Sequence, residues 1–204
     1  MSRLLLSTIS IFQLLQGCSG DLSRPVMIDG QISTTEWADA HVVTLDSLNS
    51  IYSKSDEYYY YVAVKSKLTK PLYVDVFIQQ ASGLLNIHAS SQLGARSLPD
   101  STWTDTEPPT LWGYTVGWTA NTVRFDRKKM QLARDSMPEV NPYSSSYIAY
   151  DGMEFQFSKK HFDLNNALWR IEIRNMIGPE GFQPVIFPVN STRKQTINWT
   201  TLNF

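Results

Sequence analysis

The chain has 204 residues, a length that fits one domain with a single substantial core. Apolar residues make up 42 % and charged residues 18 %, which excludes a disordered or supercharged chain, and a formal net charge of -1 offers no basic field to nucleic acid. Aromatic residues reach 12 %, with six Trp and ten Tyr, a content that suits pleated sheets and flat binding faces.

The first segment reads as a targeting signal. Arg3 precedes Leu4 to Leu15, an uncharged stretch too short to span a bilayer and suited to export. It runs into Leu15-Gln16-Gly17-Cys18, which resembles the lipobox of bacterial lipoproteins, in which the cysteine is lipidated and becomes N-terminal after cleavage. Cys18 is the only cysteine, so it makes no internal disulfide, and lipidation accounts for a lone thiol in an exported protein. The resemblance implies a signal peptide over residues 1-17, a lipidated N terminus and tether over 18-24, and one domain over 25-204. It also implies a membrane partner held through a lipid anchor at Cys18. Ser19, rather than Asp, after the cysteine implies the outer membrane.

The domain opens with Ile28-Asp29-Gly30, then Glu36-Trp37 and Ala40. Asp29-Gly30 is a turn dipeptide, and Trp37 and Ala40 are spaced for a helical turn packing on a sheet. From there the dominant period is two. Tyr58 to Val64 reads as a strand entered through a polar turn over Ser53 to Glu57. Leu72, Val74, Val76 and Ile78 alternate with Tyr73, Asp75, Phe77 and Gln79, so the aliphatic set faces the core. Leu85, Ile87 and Ala89 alternate in the same way with Asn86, His88 and Ser90. The stretch from Ser91 to Thr110 reads as a long loop stiffened by Pro99, Pro108 and Pro109, and loops of this length in compact domains are usually functional. Tyr114 to Trp118 and Thr122 to Phe125 suggest a hairpin across Thr119 to Asn121. Met153, Phe155 and Phe157 form one more alternating strand, and Ile171 and Ile173 another, between Arg170, Glu172 and Arg174. Helical signals are confined to Lys128 to Arg134 and Lys159 to Leu164. Many short strands with little helix predict an antiparallel β-sandwich, of jelly-roll or immunoglobulin-like type, with one or two short helices.

The order Ile28-Asp29-Gly30, Glu36-Trp37, Ala40 resembles the opening signature of the family 9 carbohydrate-binding modules and their DOMON-like relatives. Tyr58 to Val64, ending in Val62-Ala63-Val64, resembles a later strand of that family. Asp151-Gly152-Met153-Glu154-Phe155 resembles its G-x-E strand, and Trp199 with Leu202 its closing strand. The resemblance implies a β-sandwich that binds saccharide without catalysis. It also implies Trp37 in the core, where the head of an alternating strand also places Trp169.

Sugar binding needs exposed aromatic faces against the apolar side of a pyranose, with carboxylates and amides around them. Trp103, Trp112 and Trp118 fall within sixteen positions, with Asp105 and Asn121 beside them, and these five are the expected ligand contacts. Burial is the competing reading for each Trp, since Trp is highly buried on average. No H-E-x-x-H or G-x-S-x-G motif occurs, so no enzyme is expected, although triads assemble in space as well as in sequence. No cofactor is expected. Sandwich modules often carry a structural calcium ion, but no ligand set is evident here. Two other functions fit the same fold class: a scaffold module of the cell envelope that contacts a protein, and a haem-binding DOMON-like domain using Met153 or Met176.

Overall fold

Strand alternation sorts the described residues into the two layers of a β-sandwich. The computed structural model describes residues 26–67, 72–98, 107–136, 146–175 and 184–204. One sheet has five strands: β1 (His41–Thr44), β2 (Asn49–Ser55), β3 (Tyr59–Ser66), β9 (Gly152–Ser158) and β8 (Trp118–Ala120), in that spatial order. The other has six: β11 (Val185–Phe187), β10 (Leu168–Asn175), β4 (Leu72–Gln80), β5 (Gly83–Ala89), β6 (Leu93–Leu98) and β7 (Leu111–Trp112). Every pairing is antiparallel.

The core lies between the layers. Val62 and Val64 of β3 and Phe155 and Phe157 of β9 meet Val74, Val76 and Ile78 of β4, Ile87 of β5, and Trp169, Ile171 and Ile173 of β10. Each such large apolar side chain contributes about 1.5–3 kcal/mol on leaving water. Phe157 and Trp169 pack edge to face with ring centroids 5.7 Å apart. Met153, considered above as a haem ligand, is buried in this core.

Each sheet also carries a cover on its outer side. Over the five-stranded sheet, Val26, Ile32 and Trp37 pack on Tyr61 and Ala63, which point away from the main core. This is why β3 is buried on both faces and reads as an almost unbroken apolar run. Buried Lys54 ties the cover down, donating to the Glu36 carbonyl at 2.9 Å and pairing with Asp39 at 2.5 Å. Over the six-stranded sheet, Trp199 packs on Phe77 and Leu84. That second cover reaches only part of the face.

Several expected boundaries are corrected. The polar turn expected over Ser53 to Glu57 starts later, because Ser53, Lys54 and Ser55 belong to β2 and pair with β3. The chain turns at Asp56, whose Oδ1 accepts from the backbone N–H groups of Tyr58 and Tyr59. The expected loop over Ser91 to Thr110 contains β6, whose Gly94, Arg96 and Ser97 lack the aliphatic alternation that marks a strand. The hairpin expected over Tyr114 to Phe125 does not form. Leu111–Trp112 joins the six-stranded sheet and Trp118–Ala120 the five-stranded one. Gly113 and Gly117 stand at φ 75° and 78°, left-handed conformations that let the chain change layers between them. Of the two expected helices one forms, α1 (Arg127–Ser136), capped by Asp126, whose Oδ1 accepts from the N–H groups of Lys128 and Lys129. Residues 159–161 make only a turn.

Candidate functional site

The outer side of the six-stranded sheet carries aromatic and charged side chains, of which Phe77, Asp75, Asn86, Arg170 and Glu172 are buried and Trp112 is exposed. Because Val74, Val76 and Ile78 point inward, Tyr73, Asp75 and Phe77 point outward. Register extends that logic across the sheet. Glu172 pairs with Asp75, Asp75 with His88, His88 with Gly94, and Gly94 with Trp112, so one outward line crosses five strands. In the next line Arg170, Phe77, Asn86 and Arg96 follow one another, and Arg174 pairs with Tyr73.

Trp112 ends the first line and is 57 % exposed. Its ring crosses directly over Gly94, where a Cβ would come within 2.9 Å of Trp112 Cε3. A side chain there would evict the indole. The ring of His88 meets Trp112 edge to face at 5.3 Å and lies 5.5 Å from Tyr73. The Arg174 guanidinium stands 6.0 Å from the centre of the Tyr73 ring. Arg174, Tyr73, His88 and Trp112 thus form a continuous strip across the strands.

His88 is held from both sides. Its Nδ1 lies 3.0 Å from Asp75 Oδ1 and its Nε2 2.9 Å from Ser90 Oγ. Carboxylate, imidazole and hydroxyl in this order make up the catalytic triad of many hydrolytic enzymes. Here Ser90 is buried in the turn after β5, and its hydroxyl also bonds the backbone N–H and carbonyl of Gln92. This arrangement fixes the orientation of the imidazole, whose ring meets the Trp112 edge.

Beside the strip lies an ionic network centred on Glu172. Arg193 donates to it from Nε at 2.7 Å and Nη2 at 2.6 Å, Arg174 from Nη2 at 2.8 Å, and Arg170 pairs with it from the buried side. Burial alone pushes the Glu172 carboxyl up, but the hydrogen bonds of Arg193 and Arg174 and the charge of Arg170 outweigh it and hold the group at about 2. The Arg193 guanidinium is raised, chiefly by its hydrogen bonds to Glu172, and Arg170 is lowered by burial. Arg193 also stacks 5.2 Å above Phe77 and stands 3.7 Å from Glu107, which pairs with Arg96. Arg96 Nε in turn donates to Asn86 Oδ1 at 2.8 Å. Among the described residues, no group of three His, Cys, Asp or Glu side chains is placed to hold a metal ion.

The expected ligand residues separate. Trp112 sits on this face. Trp118 is buried in the core and lines a different feature, a cavity of about 390 Å³ bordered also by Tyr114, His161 and Phe162. Its Nε1 has no hydrogen-bond partner among the described residues. Asn121 is buried, donates to the Gly152 carbonyl at 3.0 Å and accepts from the Glu154 N–H at 2.6 Å. Trp103, Asp105, Cys18 and Met176 lie outside the described residues. The residues of the strip and network other than Trp112 were not foreseen as ligand contacts. The alternation of Arg170, Glu172 and Arg174 in β10 marks them as a shared face, whereas nothing in the sequence places Arg193 upon it. No family model, curated protein or solved structure matches this chain.

Proposed function

We propose that this chain is a non-catalytic saccharide-binding module, exported and anchored in the outer membrane through lipid at Cys18. The observation that carries the reading is the exposed Trp112 indole at the end of a strip of aromatic and polar groups. A rigid indole offers apolar area to a sugar ring at little conformational cost, and the adjoining charged groups supply partners for hydroxyls. This agrees with the family 9 resemblance, in which sandwiches of this kind bind saccharides. The test is a titration of intrinsic tryptophan fluorescence with a panel of oligosaccharides. Saturable quenching by the wild type that is lost in Trp112→Ala supports the reading, and no response from any glycan sinks it.

One observation favours a second reading, docking of a protein partner. Leu111, Trp112, Tyr114 and Val116 are all exposed beside the edge strand β7, and an edge strand can accept an added strand. Binding of an envelope protein that persists in Trp112→Ala, with no glycan bound, would select it. The anchor has its own test: Cys18→Ser should abolish palmitate labelling and release the protein from membranes.

A further inference from the structure

We propose that the saccharide taken by this face is anionic, and that Arg174 and Arg193 recognise the carboxylates of its uronic acid units. The inference rests on the saccharide reading above and adds the class of sugar.

One buried carboxylate, Glu172, holds three guanidiniums, of which Arg174 and Arg193 remain about 30 % exposed. Each grips Glu172 through Nε and Nη2. Arg174 Nη1 has no partner among the described residues, and Arg193 Nη1 has only Glu107 at 3.7 Å, beyond hydrogen-bond reach. Two planar forks are therefore locked by one edge while each keeps donors to spare. A guanidinium fixed in this way loses little entropy on meeting a ligand, and its fork matches the two oxygens of a carboxylate.

The charge balance points the same way. Among the described residues of this face, Arg96, Arg170, Arg174 and Arg193 outnumber Asp75, Glu107 and Glu172 by four to three, on a chain whose overall charge is -1. The acids of the group are already engaged, Asp75 by His88, Glu107 by Arg96 and Glu172 by its three arginines. A neutral sugar would desolvate the guanidiniums and return only hydroxyls, whereas a uronate returns charge-assisted bonds. The distance suits a chain rather than a single sugar. Arg174 stands on β10 and Trp112 on β7, four strand spacings away, or about 19 Å at the usual inter-strand separation.

The experiment is calorimetric titration of the protein, wild type and Arg174→Gln, with hexagalacturonate, an alginate hexamer, cellohexaose and dextran sulfate. The expected result is that at least one uronate oligomer binds about tenfold or more tightly than cellohexaose, and that Arg174→Gln removes this advantage by lowering uronate affinity about tenfold more than cellohexaose affinity. If cellohexaose binds as well as both uronates, the inference falls and the saccharide reading stands. Dextran sulfate binding as tightly as the uronates would overturn carboxylate recognition in favour of a general polyanion surface. If none of the four ligands binds the wild type, the inference falls, and the broader glycan titration decides whether the saccharide reading falls with it.

Discussion

The indole Nε1 of Trp37 donates a hydrogen bond to Glu154 Oε1 at 3.0 Å, across 117 residues of chain. The other oxygen of the same carboxylate accepts from the backbone N–H groups of Asp29 at 3.1 Å and Gly30 at 2.7 Å. Asn121 completes the clamp by accepting from the Glu154 N–H. Two stretches that stand far apart in sequence, Ile28 to Trp37 and Asp151 to Phe155, are therefore one structural unit that fastens the outer cover to β9.

Removing that carboxylate should be costly. Glu154→Ala leaves three N–H donors without their acceptor, and the expected loss is on the order of 3 kcal/mol in urea unfolding. Trp37→Phe, which keeps most of the ring and removes one donor, should cost less. A Glu154→Ala variant within about 0.5 kcal/mol of wild type would show that the clamp is not a source of stability.

Gly94 and Trp112 should act as a pair. A methyl at position 94 meets the indole at 2.9 Å and Thr110 Cγ2 at 2.7 Å. Trp112 is exposed and can swing away, so Gly94→Ala is expected to change global stability by less than about 1 kcal/mol while reducing saccharide affinity towards that of Trp112→Ala. Chemical shifts of the Trp112 indole N–H, followed with and without ligand, check this. An unmoved indole and unchanged affinity would contradict it.

Acid should weaken the ionic network in a defined window. The Glu172 carboxyl titrates at about 2 in the fold against 4.5 ordinarily, so its stabilisation is present above about 4.5 and is lost as pH falls from there through about 2. Glu154 has the opposite sign. Burial raises it against the hydrogen bonds of Gly30, Trp37 and Asp29, so its contribution is full below about 4.5 and declines as pH rises through its folded value. Urea unfolding between pH 5 and 2.5 should show a loss in the wild type that is smaller in Glu172→Gln. Equal slopes in the two proteins would remove Glu172 as the cause.

Binding without turnover is also open to measurement. The Asp75, His88 and Ser90 arrangement is expected to be structural, so p-nitrophenyl acetate hydrolysis by the wild type should not exceed that of Ser90→Ala. A rate that depends on both Ser90 and His88 would make the module a hydrolase.

How much of this was legible in the sequence varied with the range of the interactions. The strands around Tyr59, Leu72, Gly83, Gly152 and Leu168 were visible because their inward residues are aliphatic or aromatic at period two, and a half-buried sheet requires that pattern. Strand β6 was hidden because its inward positions hold Leu93, Ala95 and Ser97, a small and a polar residue among them, and so lack the aliphatic alternation that marks a strand. Trp112 and Trp118 looked equivalent as neighbours in one aromatic stretch. The layer change between Gly113 and Gly117 sent one to the open face and the other to the core, and no local pattern records that choice.

By itself the sequence determined the class of fold, the inward faces of the longer strands and the core position of Trp169, because these follow from spacing along the chain. Only the tertiary structure decided that Asn121 bonds the backbone of Glu154, that the C-terminal Arg193 meets Glu172 of β10, and that His88 stands between Asp75 and Trp112. Those contacts depend on sheet register and on where the chain crosses between layers, and both are settled by packing between residues distant in sequence.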